Sequence, residues 1–444
     1  MSLINIPLNC DFLSLYIENE KGMVFHHRKQ SLYQLPSISV AFVLAIDEGL
    51  TEQRAISDIK QQSNLTETQL RSFYIEVKQL FVSDEESISY LDGRYPELKQ
   101  ELKQELKQEL KQEQEPEQPS DTIETKKPAV NLLEDALAEI SRFAKPGAFV
   151  CQVANTKFAI SSNCTKFINE VKALLKPIEQ SNGKPTSKQT LSEDIEIDFE
   201  LDVDLNDDEF FVFSNDHLIA QDLRFDEIMP ELIDRMQILA FQSTDYYFCY
   251  HGAAVQTEQG TLLIPGKSGA GKSTLCAELT NAKAPLYSDE IIALDKHFNL
   301  LCLNLPMAIK SGSWQHLANQ YPELESASIF KRLDGRKLKY VWPEKFAFNQ
   351  SIKQPITSNK VLLVNPKFVQ ANQTLTDTHK AADAKRLTII DTLAMLSESG
   401  YQIGVEMDKE KLDLLINFLL DIHRFELTYQ SSEQAKVGLA KLWS

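Results

Sequence analysis

Six cysteines in 444 residues, none spaced as Cys-x-x-Cys, are too few and too scattered for a zinc cage or a disulfide framework. Cys10, Cys151, Cys164, Cys249, Cys276 and Cys302 are expected as reduced, mostly buried thiols. Long apolar runs are missing too: none approaches the roughly twenty residues that a membrane-spanning helix needs. Residues 1–9 lack the basic start of a secretory signal, so a cytoplasmic protein without a membrane partner is expected. Basic charge is in deficit, with 46 Lys and Arg against 64 Asp and Glu and a net charge of −18. Nonspecific binding to nucleic acid requires a basic face that displaces phosphate counterions, so no nucleic-acid partner is expected. What is present in ordinary measure is apolar content, 43%, and length for two or three domains with substantial cores.

The chain divides at 96–127. Glu-Leu-Lys-Gln is repeated four times from Glu97 to Gln112 and is followed by a Glu, Gln and Pro-rich stretch that cannot bury a core. The repeat places like charges at every i, i+4 and Glu and Lys two apart, so no stabilising helical ion pair forms. A marginal, fraying helix serving as a spacer is the expectation.

Residues 1–95 form a unit of their own. Strands are expected over 11–17 and 23–27 around a turn at 19–22, then helices over 37–48, 51–62 and 66–81 with Thr51 and Thr66 as N-caps. The pattern is winged-helix-like. The segment 32–35, the run 40–49, and Thr51 with Ile56 and Ile59 resemble the PqqD-like domains that recognise precursor peptides. A DNA-binding winged helix fits less well, since the helix over 66–81 offers Arg71 and Lys78 against Glu67 and Glu76.

Residues 128–240 read as an α+β lead-in: a strand pair over 149–160, helices over 164–175 and 225–242, and strands over 194–205 and 210–213. The 194–205 strand alternates acid and apolar residues, which puts Asp194, Glu196, Asp198, Glu200, Asp202 and Asp204 on one face. That ladder reads as a solvated face discouraging edge pairing, or as a dock for a basic peptide.

The chemistry-bearing motif begins at Gly266. Gly266, Gly269, Gly271, Lys272 and Ser273 stand at the spacing of a G-x-x-x-x-G-K-[ST] phosphate loop, or Walker A motif, with Lys267, Ser268 and Ala270 between them and Thr274 after. The apolar run over 261–264 reads as the strand feeding the loop. Residues 272–282, with Leu275, Leu279 and Ala282 on one face, read as the helix leaving it. Glycines there let backbone N–H groups close around a phosphate, the helix N-terminus adds positive charge, Lys272 reaches the terminal phosphates, and Ser273 holds Mg²⁺. ATP and Mg²⁺ are the expected ligands.

His251 and Gly252 precede the loop on a strand over 250–255, and Asp289 and Glu290 follow it at the end of a strand over 283–287. By position alone, His251 also fits a core histidine, Asp289 a turn cap and Glu290 a solvated charge. Asp295 reads as a turn residue. Taken in order, His251, Gly252, the loop from Gly266 to Ser273, Asp289 and Glu290 resemble the catalytic domain of the HPr kinase/phosphorylase superfamily. That resemblance implies that Asp289 polarises an acceptor hydroxyl, that Ser273, Asp289 and Glu290 lie near the metal, and that His251 lies beside the site. It also allows for a homo-oligomer.

Residues 305–314 depart from the superfamily's docking and phosphorolysis signature, which puts HPr as substrate and the reverse reaction in doubt. They resemble instead a related branch with Pro-x-x-x-Lys (Pro306, Lys310) and G-x-x-x-x-Tyr-x-x-Pro (Gly335, Tyr340, Pro343) segments. Lys310, Arg332, Arg336, Lys337 and Lys339 are cations available to phosphate or an acidic substrate, although each alone also reads as a solvated charge. Lys310 and Arg336 are the substrate candidates.

The expected architecture is α/β: an HPr-kinase-like P-loop core over 241–444, closed by helices over 387–396 and 409–420, behind the 128–240 lead-in and the PqqD-like domain. The expected activity is transfer of the γ-phosphate of ATP to a Ser or Thr hydroxyl of a peptide or small protein docked on the N-terminal domain. A nucleotide-gated binding module without phosphotransfer and a small-molecule kinase are the alternatives.

Overall fold

The computed structural model describes residues 3–82, 148–180, 196–244, 246–266, 270–281, 284–345, 360–369, 382–399 and 407–443. The spacer expected over 96–127 lies outside them. The chain is mixed α/β and falls into two compact units, 1–131 and 132–444.

The first unit opens with an antiparallel meander, β1 (Ile4–Ile6), β2 (Leu13–Glu18), β3 (Lys21–His26) and β4 (Ser31–Pro36), in that spatial order. The sequence pattern predicts two strands and four are present; β1 and β4 are the additions. Asn19 takes φ 58° in the β2–β3 turn, a left-handed position that asparagine tolerates well. Helices α1 (Ser37–Asp47), α2 (Glu52–Lys60) and α3 (Glu67–Lys78) follow. Both expected caps are in place: Thr51 accepts from the Arg54 N–H at 3.4 Å, and Thr66 forms a reciprocal capping box with Gln69. Leu15, Val24, Phe42, Val43, Leu70 and Tyr74 make the core between sheet and helices.

The second unit begins with β5 (Phe149–Val153), β6 (Thr156–Ser162), β7 (Phe199–Asn206), β8 (Glu209–Ser214) and β9 (His217–Leu223), a five-stranded sheet in sequential order. Helix α4 (Thr165–Leu175) carries the chain from β6 to its parallel neighbour β7, and α5 (Phe225–Gln242) follows β9. This corrects the reading of the acidic strand. β7 is hydrogen-bonded on both sides, so its charges guard no edge. Nor do they form one solvated face, because burial deepens along the strand: Glu200 is exposed, Asp202 is half-buried and accepts the Ser161 hydroxyl, and Asp204 is 1% exposed. Asp194 lies outside the described residues.

The remaining elements are β10 (Phe248–Gln256), β11 (Thr261–Pro265), α6 (Lys272–Asn281), β12 (Leu286–Ser288), β13 (Ile291–Leu294), β14 (Met307–Lys310), α7 (Trp314–Leu317), β15 (Phe330–Lys331), β16 (Lys337–Val341), β17 (Val361–Phe368), β18 (Asp383–Arg386), α8 (Ile389–Ser399), α9 (Lys409–Asp421), β19 (His423–Tyr429) and α10 (Ser432–Leu442). The main sheet runs β12-β10-β11-β17-β19-β18, with β13 also paired to β10. Its centre is parallel: β11 pairs β17 and β17 pairs β19. Strands β14, β16 and β15 form a separate small sheet.

The line expected at 240 separates no cores. Phe158, Phe167, Leu201 and Met236 from the first part of this unit share one apolar cluster with Ile291, Ala293, Leu338 and Tyr340 from the second. Another cluster, including Leu262, Ile264, Leu275, Val364 and Leu427, packs α6 against the parallel strands. Among the described residues no helix is long and apolar enough to cross a membrane.

Candidate functional site

Every residue of β11 is buried, as its apolar run requires, and the strand delivers the chain to Gly266. Gly266 takes φ 147° and Gly271 φ 88°, backbone positions that L side chains rarely adopt. A Cβ on Gly271 would lie 3.1 Å from the Tyr429 hydroxyl, so the loop also runs close against β19. Lys267, Ser268 and Gly269 lie outside the described residues. Helix α6 starts at Lys272, so the loop ends at the helix terminus where backbone N–H groups have no intrahelical acceptor.

Lys272 is 4% exposed. Burial lowers its pKa to about 8, against the opposing charges of Glu290 and Asp289. Before it opens a cavity of about 580 Å³ whose walls include Lys272, Ser273, Thr274, Lys310 and Tyr429. Thr274 Oγ1 lies 2.7 Å from Ser313 Oγ, which ties the first turn of α6 to the segment after β14.

The acid pair is placed where the partner of β10 changes from β12 to β13. Ala254 pairs with Ser288 at the end of β12, and His251 pairs with Ile291 at the start of β13. Asp289 and Glu290 form the bend between those strands, with Glu290 opposite Gly252. The Gly252 N–H donates to the Glu290 carbonyl at 2.9 Å. A Cβ on Gly252 would stand 2.7 Å from the Ile264 carbonyl oxygen and 2.7 Å from Ile292 Cδ1. The His-Gly pair and the acid pair, 38 positions apart in the chain, are thus two sides of one strand contact.

His251 Nδ1 lies 3.1 Å from the Glu290 carbonyl oxygen and 3.4 Å from its Oε2. Two acceptors facing one ring nitrogen require that nitrogen to carry the proton. Burial pushes the His251 pKa down, the Glu290 charge works against that, and Lys272 adds to it. Asp289 accepts the Ala308 N–H on Oδ2 at 3.1 Å, and burial, with the Glu290 charge, raises its pKa to about 7.

Arg332 supplies the facing cation: its Nη2 is 3.4 Å from Glu290 Oε1 and 3.1 Å from Asp234 Oδ1 on α5. Burial raises Asp234 to about 6 despite Arg332. The Tyr340 hydroxyl is buried in the field of Asp234, Arg332, Glu290 and Asp289 and finds no hydrogen-bond partner among the described residues.

Of the residues singled out in the sequence, His251, Lys272, Ser273, Asp289, Glu290 and Lys310 therefore gather at the head of α6 and the bend beside it. Arg336 pairs with Asp334 on the turn before β16, within electrostatic reach of Glu290 and Arg332 but outside the wall of the cavity before Lys272. Lys339 is also committed elsewhere, its Nζ donating to the Leu324 carbonyl and lying 4.9 Å above the Trp314 ring. Asp234, Phe368 and Tyr429 join the site without any motif near them in the chain to mark them; they arrive from α5, β17 and β19. Among the described residues no three His, Cys, Asp or Glu side chains gather as a metal cage. Neither protein-family models nor curated proteins give a match to this chain.

Proposed function

We propose that this chain is an ATP-dependent phosphotransferase that moves the γ-phosphoryl group to a Ser or Thr hydroxyl of a peptide or small protein. The observation that carries the reading is the bend between β12 and β13 along the edge of β10, where an acid of raised pKa lies in the field of the buried lysine of a phosphate-loop helix. The resemblance to the HPr kinase superfamily assigns the same residues to the same roles.

In this reading Asp289 takes the acceptor proton, since a general base works best with a pKa near the working pH. The acceptor oxygen forms its bond to γ-phosphorus as the bond to the β–γ bridging oxygen breaks, and ADP leaves. Lys272 and the N–H groups at the head of α6 stabilise the charge on the phosphoryl oxygens, and the buried site makes each contact worth more than in water. His251, held neutral by burial, fixes the Glu290 carboxylate from one side while Arg332 fixes it from the other.

The residues present fit Mg²⁺. Such sites take one or two carboxylates and leave the remaining positions to phosphate and water, which is what Ser273 with Glu290 would offer, Asp289 lying beside them and facing the acceptor. Bound there, the ion would neutralise phosphate charge. The first unit supplies the peptide-binding role: β1 and β4 are the outer strands of its sheet, and an extended peptide adds to such an edge through backbone hydrogen bonds.

The test is transfer of radiolabel from γ-labelled ATP to a Ser- or Thr-bearing acceptor. Asp289→Asn should lower transfer about 10²-fold or more. Lys272→Ala should remove most of the melting-temperature rise that ATP with Mg²⁺ gives the wild-type protein. Unchanged nucleotide binding in Lys272→Ala would show that the loop is not the site. Binding without any transfer, equal in wild type and Asp289→Asn, would favour a nucleotide-gated binding module.

A further inference from the structure

The cavity at the head of α6 is larger than a phosphate chain requires. Its volume of about 580 Å³ falls within the range of roughly 300–1,000 Å³ typical of pockets that enclose a whole small-molecule ligand. Its lining brings Lys272 and Ser273 together with the ends of β17 and β19 and the first turn of α10, which contribute Phe368, Tyr429, Gln430 and Ser432. Phe368 and Tyr429 lie beside Gly271, where an added Cβ would stand 3.7 Å from Phe368 Cβ and 3.1 Å from the Tyr429 hydroxyl.

The parallel register of β17 and β19 sets Phe368 opposite Tyr429, with ring centroids 5.9 Å apart and planes at 64°. Tyr429 is buried against the loop, its hydroxyl close to Gly271. Phe368 is 52% exposed, a large apolar ring left facing the cavity and solvent at the end of a strand whose other apolar residues are buried. Burying that ring against another flat apolar surface is favourable, and a nucleobase offers such a surface whatever its hydrogen-bonding edge.

The α10 part of the lining is also fixed in place. Glu278 of α6, 2% exposed, takes the Lys436 ammonium of α10 at 2.5 Å and lies 3.0 Å from His316 Nε2, which in turn lies 2.7 Å from Ser432 Oγ. The helix that carries the phosphate-loop lysine and the helix whose first turn lines the cavity are therefore joined through one buried carboxylate.

We propose that Phe368 is the stacking platform for the base of the bound nucleotide, with the first turn of α10 beside it. This rests on the nucleotide-binding part of the function proposed above and adds where the base lies.

The experiment compares two probes on the full-length protein by calorimetry with Mg²⁺: ATP, and inorganic tripolyphosphate, which has the phosphates and no base. The wild type should bind ATP at least about tenfold more tightly than tripolyphosphate, and Phe368→Ala should remove most of that difference by weakening ATP about tenfold, the scale of a lost base–aromatic stack. Tripolyphosphate affinity should stay within about twofold. Phe368→Trp should retain ATP affinity, which separates stacking from a loss of fold, and circular dichroism checks that the alanine variant is folded. Equal binding of the two probes by the wild type, or an unchanged ATP affinity in Phe368→Ala, would overturn the base site and leave the phosphate loop standing. Equal weakening of both probes by Phe368→Ala would overturn it too. Failure of the wild type to bind either probe would overturn both readings.

Discussion

Burial raises the Asp289 carboxyl from its ordinary value of 3.8 to about 7, and that shift changes how stability depends on pH. A carboxyl that holds its proton more tightly in the folded state contributes stability that is complete below its unfolded pKa and is lost as pH rises through the folded one. For Asp289 the loss runs from about 4 to about 7; Asp234, raised to about 6, acts in the same sense. His251, lowered by burial, acts oppositely and gains stability as pH rises, so wild type and variant must be compared at each pH. Without Mg²⁺ and nucleotide, Asp289→Asn should melt higher than wild type at pH 8, with the gain shrinking toward pH 5 as the wild-type carboxyl takes up its proton. The asparagine oxygen still accepts the Ala308 N–H. A melting difference that is flat from pH 5 to pH 8 would mean that Asp289 ionises as it does in water.

At the level of the element, β10 does two jobs: it pairs with β11 to support the phosphate loop, and it splits its other edge between β12 and β13 to aim the acid pair. Gly252 is where both contacts are tightest: a Cβ added there would have three atoms within 2.8 Å, the Ile264 carbonyl oxygen, Ile292 Cδ1 and Pro265 Cα. Two of these are backbone and cannot swing away. Gly252→Ala should therefore cost about 1–3 kcal/mol, the usual range for overpacking, read as a lower urea midpoint for the second unit. It should also reduce phosphate transfer, because the Gly252 N–H to Glu290 carbonyl bond sets the bend. An unaltered midpoint would show that the strands can part without penalty.

For the whole molecule the question is what the first unit contributes to the second. If it docks the acceptor and the 96–127 segment acts as a tether, its effect is on local concentration, which changes slowly with tether length. A chain starting at residue 128 should then show an acceptor KM raised by roughly tenfold or more with kcat little changed, and removal of two Glu-Leu-Lys-Gln repeats should alter neither constant by more than about twofold. Unchanged KM in the shortened chain would sink the docking role and favour a small-molecule acceptor.

Some of this is legible in the chain itself. The strand, loop and helix around Gly266 and Lys272, the helix Phe225–Gln242, and the caps Thr51 and Thr66 are all specified within a few residues, by apolar period, by a side chain that meets the backbone three positions on, or by glycine at turns that need it. Strands β17 and β19, next to the loop strand in the sheet, are not legible in the same way. Neither shows a clean alternation, β19 carries charges at Arg424 and Glu426, and parallel strands give no short-range turn signal. The depth of Asp204, the choice of Arg332 rather than Arg336 beside Glu290, and the meeting of Phe368 with Tyr429 are decided only by tertiary structure. Each depends on which distant strand or helix lies alongside, and that register is set by the packing of the whole unit, where a shift of one residue turns every side chain to the other face.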